Sequence, residues 1–161
     1  MILYKNPGFI YSIDSLMLFQ TDDQAPYWSD ALLYFYPQVE KQKLSKLTYE
    51  AKKEHIAERL YDVYHREIAH EIDDKVNAYN HHFMNHKNQI EDALSEAFDL
   101  DTRTIFNDIV GNITMNPVGP RFLQEHYFDI FYKNSERGAL GISIHEMIHY
   151  YIAWNGIKDN G

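Results

Sequence analysis

His145-Glu146-Met147-Ile148-His149 sets two imidazoles four residues apart with a carboxylate beside the first. On a helix, positions four apart share one face, so both rings can reach a single metal ion. Glu146 is one step from His145 and stands beside that metal rather than on it. There it can take a proton from a water that the metal has activated. With nine His and eleven Glu among 161 residues, chance alone yields this HExxH pattern about 0.03 times per chain of this composition. The chemistry it predicts is zinc-assisted hydrolysis, with His145 and His149 as ligands and Glu146 as general base.

A catalytic zinc usually has three protein ligands and a water, and the motif supplies two. The extended pattern that would add Gly at 152 and His at 155 is absent, because those positions are Ile152 and Asn155. After His149 there is neither His nor Glu, and the only acidic residue is Asp159. A helix ending near Asn155 would leave Asp159 roughly 6–9 Å further along the axis, so it is a third ligand only if the chain folds back. Two other sources remain open: a carboxylate of the helical half such as Glu67 or Glu71, or a segment beyond Gly161. The last would make this a truncated gene product, as an end just past a helix cap suggests.

The elements that must carry the motif can be read around it. Gly138–Ile144 leads in and Tyr150–Trp154 leads out, both largely apolar, which predicts a helix buried nearly all round. Buried ionisable groups are costly unless paired or metal-bound. Asn134 or Ser135 is a suitable N-cap with Glu136 in the first turn, and Asn155-Gly156 a suitable stop. Before it, Tyr127–Tyr132 is an aromatic, β-branched strand. Ile105–Met115 reads as another strand, ending in the rigid loop Asn116-Pro117-Val118-Gly119-Pro120.

Further upstream, Lys46–Phe98 lacks Pro and Gly and repeats apolar residues at helical spacing, from Ile56, Leu60 and Val63 to Phe83, Ile90 and Leu94. That predicts two or three long amphipathic helices. Tyr27–Tyr36 is a short aromatic helix stopped by Pro37. Thr21–Pro26 is a loop, and Ile2–Lys5 and part of Phe9–Phe19 are two strands turning at Asn6-Pro7-Gly8. The class expected is α+β, in one domain spanning 1–161. Its parts are an N-terminal segment (1–45), long helices (46–100), and a small sheet with the metal helix (101–161).

Composition bounds the partners. A net charge of −9 with no Lys/Arg cluster argues against nucleic acid or an anionic membrane; the substrate expected from the HExxH motif is a peptide or protein. Zero cysteines exclude disulfides, Cys-based zinc sites and a thiol nucleophile. Residues 1–20 lack the basic start and unbroken apolar run of a signal peptide, and no stretch is long enough to span a membrane; a cytoplasmic location is expected. Among other histidines, His82 and His86 repeat the spacing of four beside His81, but without an evident carboxylate they read as a solvated helix face. His55, His65 and His70 read as surface positions.

HEMIHYY following a strand resembles the HExxH zincins. The wider pattern is similar to a group of small, largely uncharacterised bacterial zinc-peptidase-like proteins. It comprises Thr21-Asp22-Asp23-Gln24-Ala25-Pro26-Tyr27-Trp28, Asn116-Pro117 with Pro120-Arg121-Phe122-Leu123, and Phe128-Asp129-Ile130-Phe131-Tyr132. The resemblance implies a zincin-like core in which an edge strand lies above the metal and a peptide adds to it. It also implies a gluzincin-type glutamate on a helix after the HExxH helix, which this sequence does not contain. HEMIH also resembles the SprT-like proteases, whose DNA-linked role fits poorly with −9. The function expected is a zinc metallopeptidase. The rival is a non-catalytic zincin-fold interaction protein with an incomplete metal site. Tyr150, Tyr151 and the Pro120-Arg121 loop are unranked candidates for stabilising an oxyanion.

Overall fold

A computed structural model describes residues 2–99, 101, 103, 109–122 and 125–159, with side chains as far as Ala153. The chain is α+β. Four strands, β1 (Ile2–Lys5), β2 (Ile109–Thr114), β3 (Arg121–Phe122) and β4 (Tyr127–Phe131), form one sheet in the order β1-β2-β4-β3. β1, β2 and β4 are parallel, with Lys5 opposite Asn112 and Asn112 opposite Asp129. β3 is antiparallel to β4 and holds one edge. The sheet therefore does not simply follow a helical half, as the order of sequence signals suggested. Its first strand comes from the N-terminus and pairs with a strand more than a hundred residues away.

Among the described residues six helices accompany the sheet: α1 (Phe9–Met17), α2 (Ala25–Phe35), α3 (Lys41–Leu44), α4 (Tyr49–Val63), α5 (Ala69–Phe98) and α6 (Glu136–Asp159), with a π-helical turn at 64–68 joining α4 to α5. Phe9–Met17 was expected to contain strand and is instead α1. Its β-branched residues invite strand, but Ile13, Leu16 and Met17 all enter the core. With half-buried Phe9 they make a spacing of four, three and one that only a helix brings to one side. The long helices at 49–98 follow the predicted periodicity. Thr48 opens α4, its Oγ1 accepting from the Ala51 N–H.

α6 begins where expected, with Ser135 Oγ accepting from the Gly138 N–H at 3.0 Å. It does not stop at Asn155-Gly156 but continues to Asp159; one Gly costs only about 1 kcal/mol in a helix interior, too little to force an end. Nor is it buried nearly all round. Ala139, Ser143, Met147 and Tyr150 face the core, while Gly141, His145 and Ile152 are exposed, Ile152 to 59%. An apolar composition had stood in for burial, and the spacing of four now sorts the helix into an inner and an outer stripe.

α5 and α6 run in the same direction. Lys75 Nζ and Tyr79 Oη, early in α5, both donate to the Asn134 carbonyl just before α6. Further along, the rings of Phe98 and Tyr151 stack 3.8 Å apart. These helices cover one face of the sheet, where Tyr4 Oη meets Ser143 Oγ. On the opposite face, α1 places Tyr11 and Ser15 over Asp129. None of the described helices is long and apolar enough to cross a membrane.

Candidate metal centre

Three elements converge on the motif: α6, strand β4, and the 117–122 segment at the sheet edge. His145 and His149 point the same way from α6, their Nε2 atoms 3.0 Å apart and their rings 4.6 Å between centroids. Two imidazole nitrogens on one tetrahedral zinc, each at about 2.05 Å, stand roughly 3.3 Å apart. A shift of about 0.3 Å in side chains that face solvent brings this pair to that spacing. In donor type and separation the two residues fit the ion.

Glu146 differs from its neighbours in being buried, at 7% exposure. Its Oε2 has no hydrogen-bond partner among the described residues. The nearest cation is Arg121 on β3, whose Nη1 lies 3.7 Å from that oxygen, beyond a direct hydrogen bond. A carboxylate oxygen in such a position is costly to bury, and it is what a general base held ready for a water proton needs. His145 and Glu146 line a cleft of about 420 Å³ with Gly119, Phe131 and Asn134.

Tyr150 ties the cleft together. Its hydroxyl donates to the Tyr127 carbonyl at 2.6 Å and lies 3.2 Å from that of Phe122, pinning β3 and β4 to α6 one residue after His149. Burial raises its phenol pKa, with Glu146 adding to the effect. Tyr150 and Tyr151, both considered for an oxyanion, are thus engaged in holding the fold, the second against Phe98. Arg121, from the loop named alongside them, is the one whose charge reaches the motif.

The loop wall is set by backbone contact. The Asp129 N–H donates to the Pro120 carbonyl at 2.8 Å, and a Cβ on Gly119 would lie 2.5 Å from the Asp129 carbonyl oxygen. Because that neighbour is backbone, no side-chain rotation relieves the clash. Gly119→Ala should therefore push the 117–120 segment off β4 and destabilise the chain by about 1–3 kcal/mol. Denaturant unfolding would measure this, and an unchanged midpoint would show that the loop is not packed as described.

Asp129 was not singled out by the sequence, although it lies within the strand pattern. It is 1% exposed and accepts from Tyr11 Oη and Ser15 Oγ, each at 2.7 Å. Burial raises its carboxyl pKa above the usual 3.8, while hydrogen bonds from Tyr11, Ser15 and Asn112 oppose the rise. A raised folded value favours the protonated form in the fold. The stability it confers is therefore complete below about pH 3.8 and is lost as pH rises through the folded value. Asn has no such titration, so the Tm of Asp129→Asn minus that of the unaltered chain should increase from pH 4 to pH 7. A flat difference across thermal melts in that range would refute the shift.

The remaining candidates fall elsewhere. Glu67 and Glu71 are exposed and lie eight or more residues before Tyr79, which itself meets the start of α6. His145 is nine residues past that start, so the parallel helices separate these carboxylates from it by over 20 Å along their axes (at about 1.5 Å per residue). Helical continuation puts the Asp159 backbone about 15 Å along the axis from His149; its side chain lies outside the described residues. Among the described residues, no group of three or more His, Asp or Glu is placed to hold a metal. His82 and His86 are half-buried with rings 4.5 Å apart, and His86 Nδ1 is 2.9 Å from the His82 carbonyl. His65 and His70 are exposed and His55 is half-buried. No family model, curated protein or solved structure matches this chain.

Proposed function

We propose that the chain is a zinc-dependent peptidase of zincin-like design, with His145 and His149 as metal ligands and Glu146 as general base. The observation that carries this is the combination on one helix of two imidazole nitrogens 3.0 Å apart and a buried carboxylate whose Oε2 has no hydrogen bond among the described residues. Zinc held there would supply the Lewis acidity that polarises a substrate carbonyl and makes water nucleophilic near neutral pH. Glu146 takes the proton from the attacking water and delivers it to the departing amine nitrogen. Arg121 on β3, 3.7 Å away, offsets the charge of that carboxylate. β3, at the sheet edge, offers backbone groups against which an extended peptide can lie as one more strand.

A net charge of −9 supports a peptide or protein as partner over nucleic acid or an anionic membrane, and a cytoplasmic setting belongs to the same reading. One observation favours the rival, a non-catalytic zincin-fold interaction protein: two ligands, not three, are in place among the described residues. Hydrolysis of a mixed peptide pool by the unaltered chain and by Glu146→Gln, each with zinc, separates the two. Cleavage lost in the variant supports the peptidase, whereas equal cleavage, or none by either, rejects it.

A further inference from the structure

In a cleft separate from that of His145 and Glu146, Lys52 in the first turns of α4 is buried to 6% exposure. Its ammonium makes one hydrogen bond among the described residues, to the Gln20 carbonyl at 3.3 Å. A lysine head carries three donors, and a buried cation is costly without an anion beside it. Carboxylates are not scarce in a chain with 24 acidic against 15 basic residues. The neighbouring Lys53 pairs with Asp14 at 2.7 Å, and Lys43 with Glu40 at 2.8 Å. Lys52 has no such partner among the described residues.

Gln20 adds the complementary lack. It is 2% exposed, and its Oε1 accepts from nothing among the described residues. Both residues line one cleft of about 310 Å³, which also borders Asp22, Pro26, Ser29 and Lys41. Lys41 is already paired with Asp30. One small space thus presents a buried cation seeking an anionic oxygen, a buried acceptor seeking a donor, and an exposed carboxylate at Asp22.

We infer that this cleft between α2, α3 and α4 binds a small free amino acid, its carboxylate on Lys52 and its ammonium on Gln20 Oε1 and Asp22. The volume is at the small end for ligand pockets, which suits a molecule of a few heavy atoms. A multiply charged anion such as phosphate would meet Asp22 and gain less. The site is independent of the peptidase reading, since it shares no lining residue with the cleft at His145 and Glu146.

Calorimetric titration of the full chain with L-alanine tests it, beside N-acetylalanine, which lacks the ammonium, and inorganic phosphate. Saturable alanine binding is expected, with N-acetylalanine weaker by about tenfold or more. Lys52→Met should lose the binding while its Tm holds or rises, because a buried charge is exchanged for an apolar chain of similar length. Gln20→Leu should keep carboxylate binding and reduce the preference for alanine over N-acetylalanine, Asp22 alone remaining for the ammonium, so the idea stays testable if the first variant fails to fold. No saturable binding by the folded chain at tens of millimolar (about tenfold or more above a weak millimolar-scale site) would overturn it. So would phosphate binding tighter than alanine, or Gln20→Leu keeping the full preference.

Discussion

His145→Ala and His149→Ala should each abolish stoichiometric zinc while leaving the fold intact. The two effects separate because of where the side chains lie. His145 is exposed and His149 half-buried on the outer stripe of α6, and neither ring bonds to any other element in the contacts described. Such substitutions usually change stability by no more than about 0.5 kcal/mol. A zinc held there would lose one of its two proposed ligands, and since second-shell changes alone cost about 10–100-fold in affinity, the loss of a direct ligand should exceed about a hundredfold. Zinc per chain by elemental analysis, run beside a thermal melt, reads both. A variant that kept its zinc would remove that histidine from the site, and one that unfolded would show the ring to be structural.

Glu146→Gln should have the opposite pattern, keeping zinc and losing hydrolysis. The amide matches the carboxylate in size and fits the same buried position, but it cannot take a proton from water. General-base contributions run to about 10²–10⁴-fold in rate, so cleavage should fall by that amount with zinc content unchanged. The variant also removes a buried charge whose nearest cation is 3.7 Å away, so its stability should not fall. Substrate turnover and zinc content measured on one preparation decide the matter. Intact turnover would make Glu146 a cleft-wall residue and leave the mechanism without a base.

Much of this was legible in the sequence wherever period alone decides structure. The helical spacing of Ile56, Leu60 and Val63 gave α4, the aromatic, β-branched run at 127–132 gave β4, and Asn134 or Ser135 gave the start of α6. Local signals failed where tertiary packing arbitrates. At Phe9–Met17, β-branched residues competed with a helical spacing that matters only once a core lies beneath it. At Asn155-Gly156 a cap signal was too weak to end the helix. The pairing of β1 with β2 and the meeting of Tyr11, Ser15 and Asp129 join segments about a hundred residues apart, and no local pattern encodes such contacts. The site divides in the same way. Spacing on one helix brings His145, Glu146 and His149 together, whereas Arg121 reaches Glu146 through an edge strand whose placement depends on the whole sheet.

The metal is the point on which everything at this site rests, and the most direct test is to count it. The purified chain, stripped of metal, equilibrated with micromolar zinc and desalted, should retain about one zinc per chain, and His145→Ala treated alike should retain almost none. Zinc absent from the folded, unaltered chain would contradict the metal centre and leave His145 and His149 as a solvent-facing histidine pair.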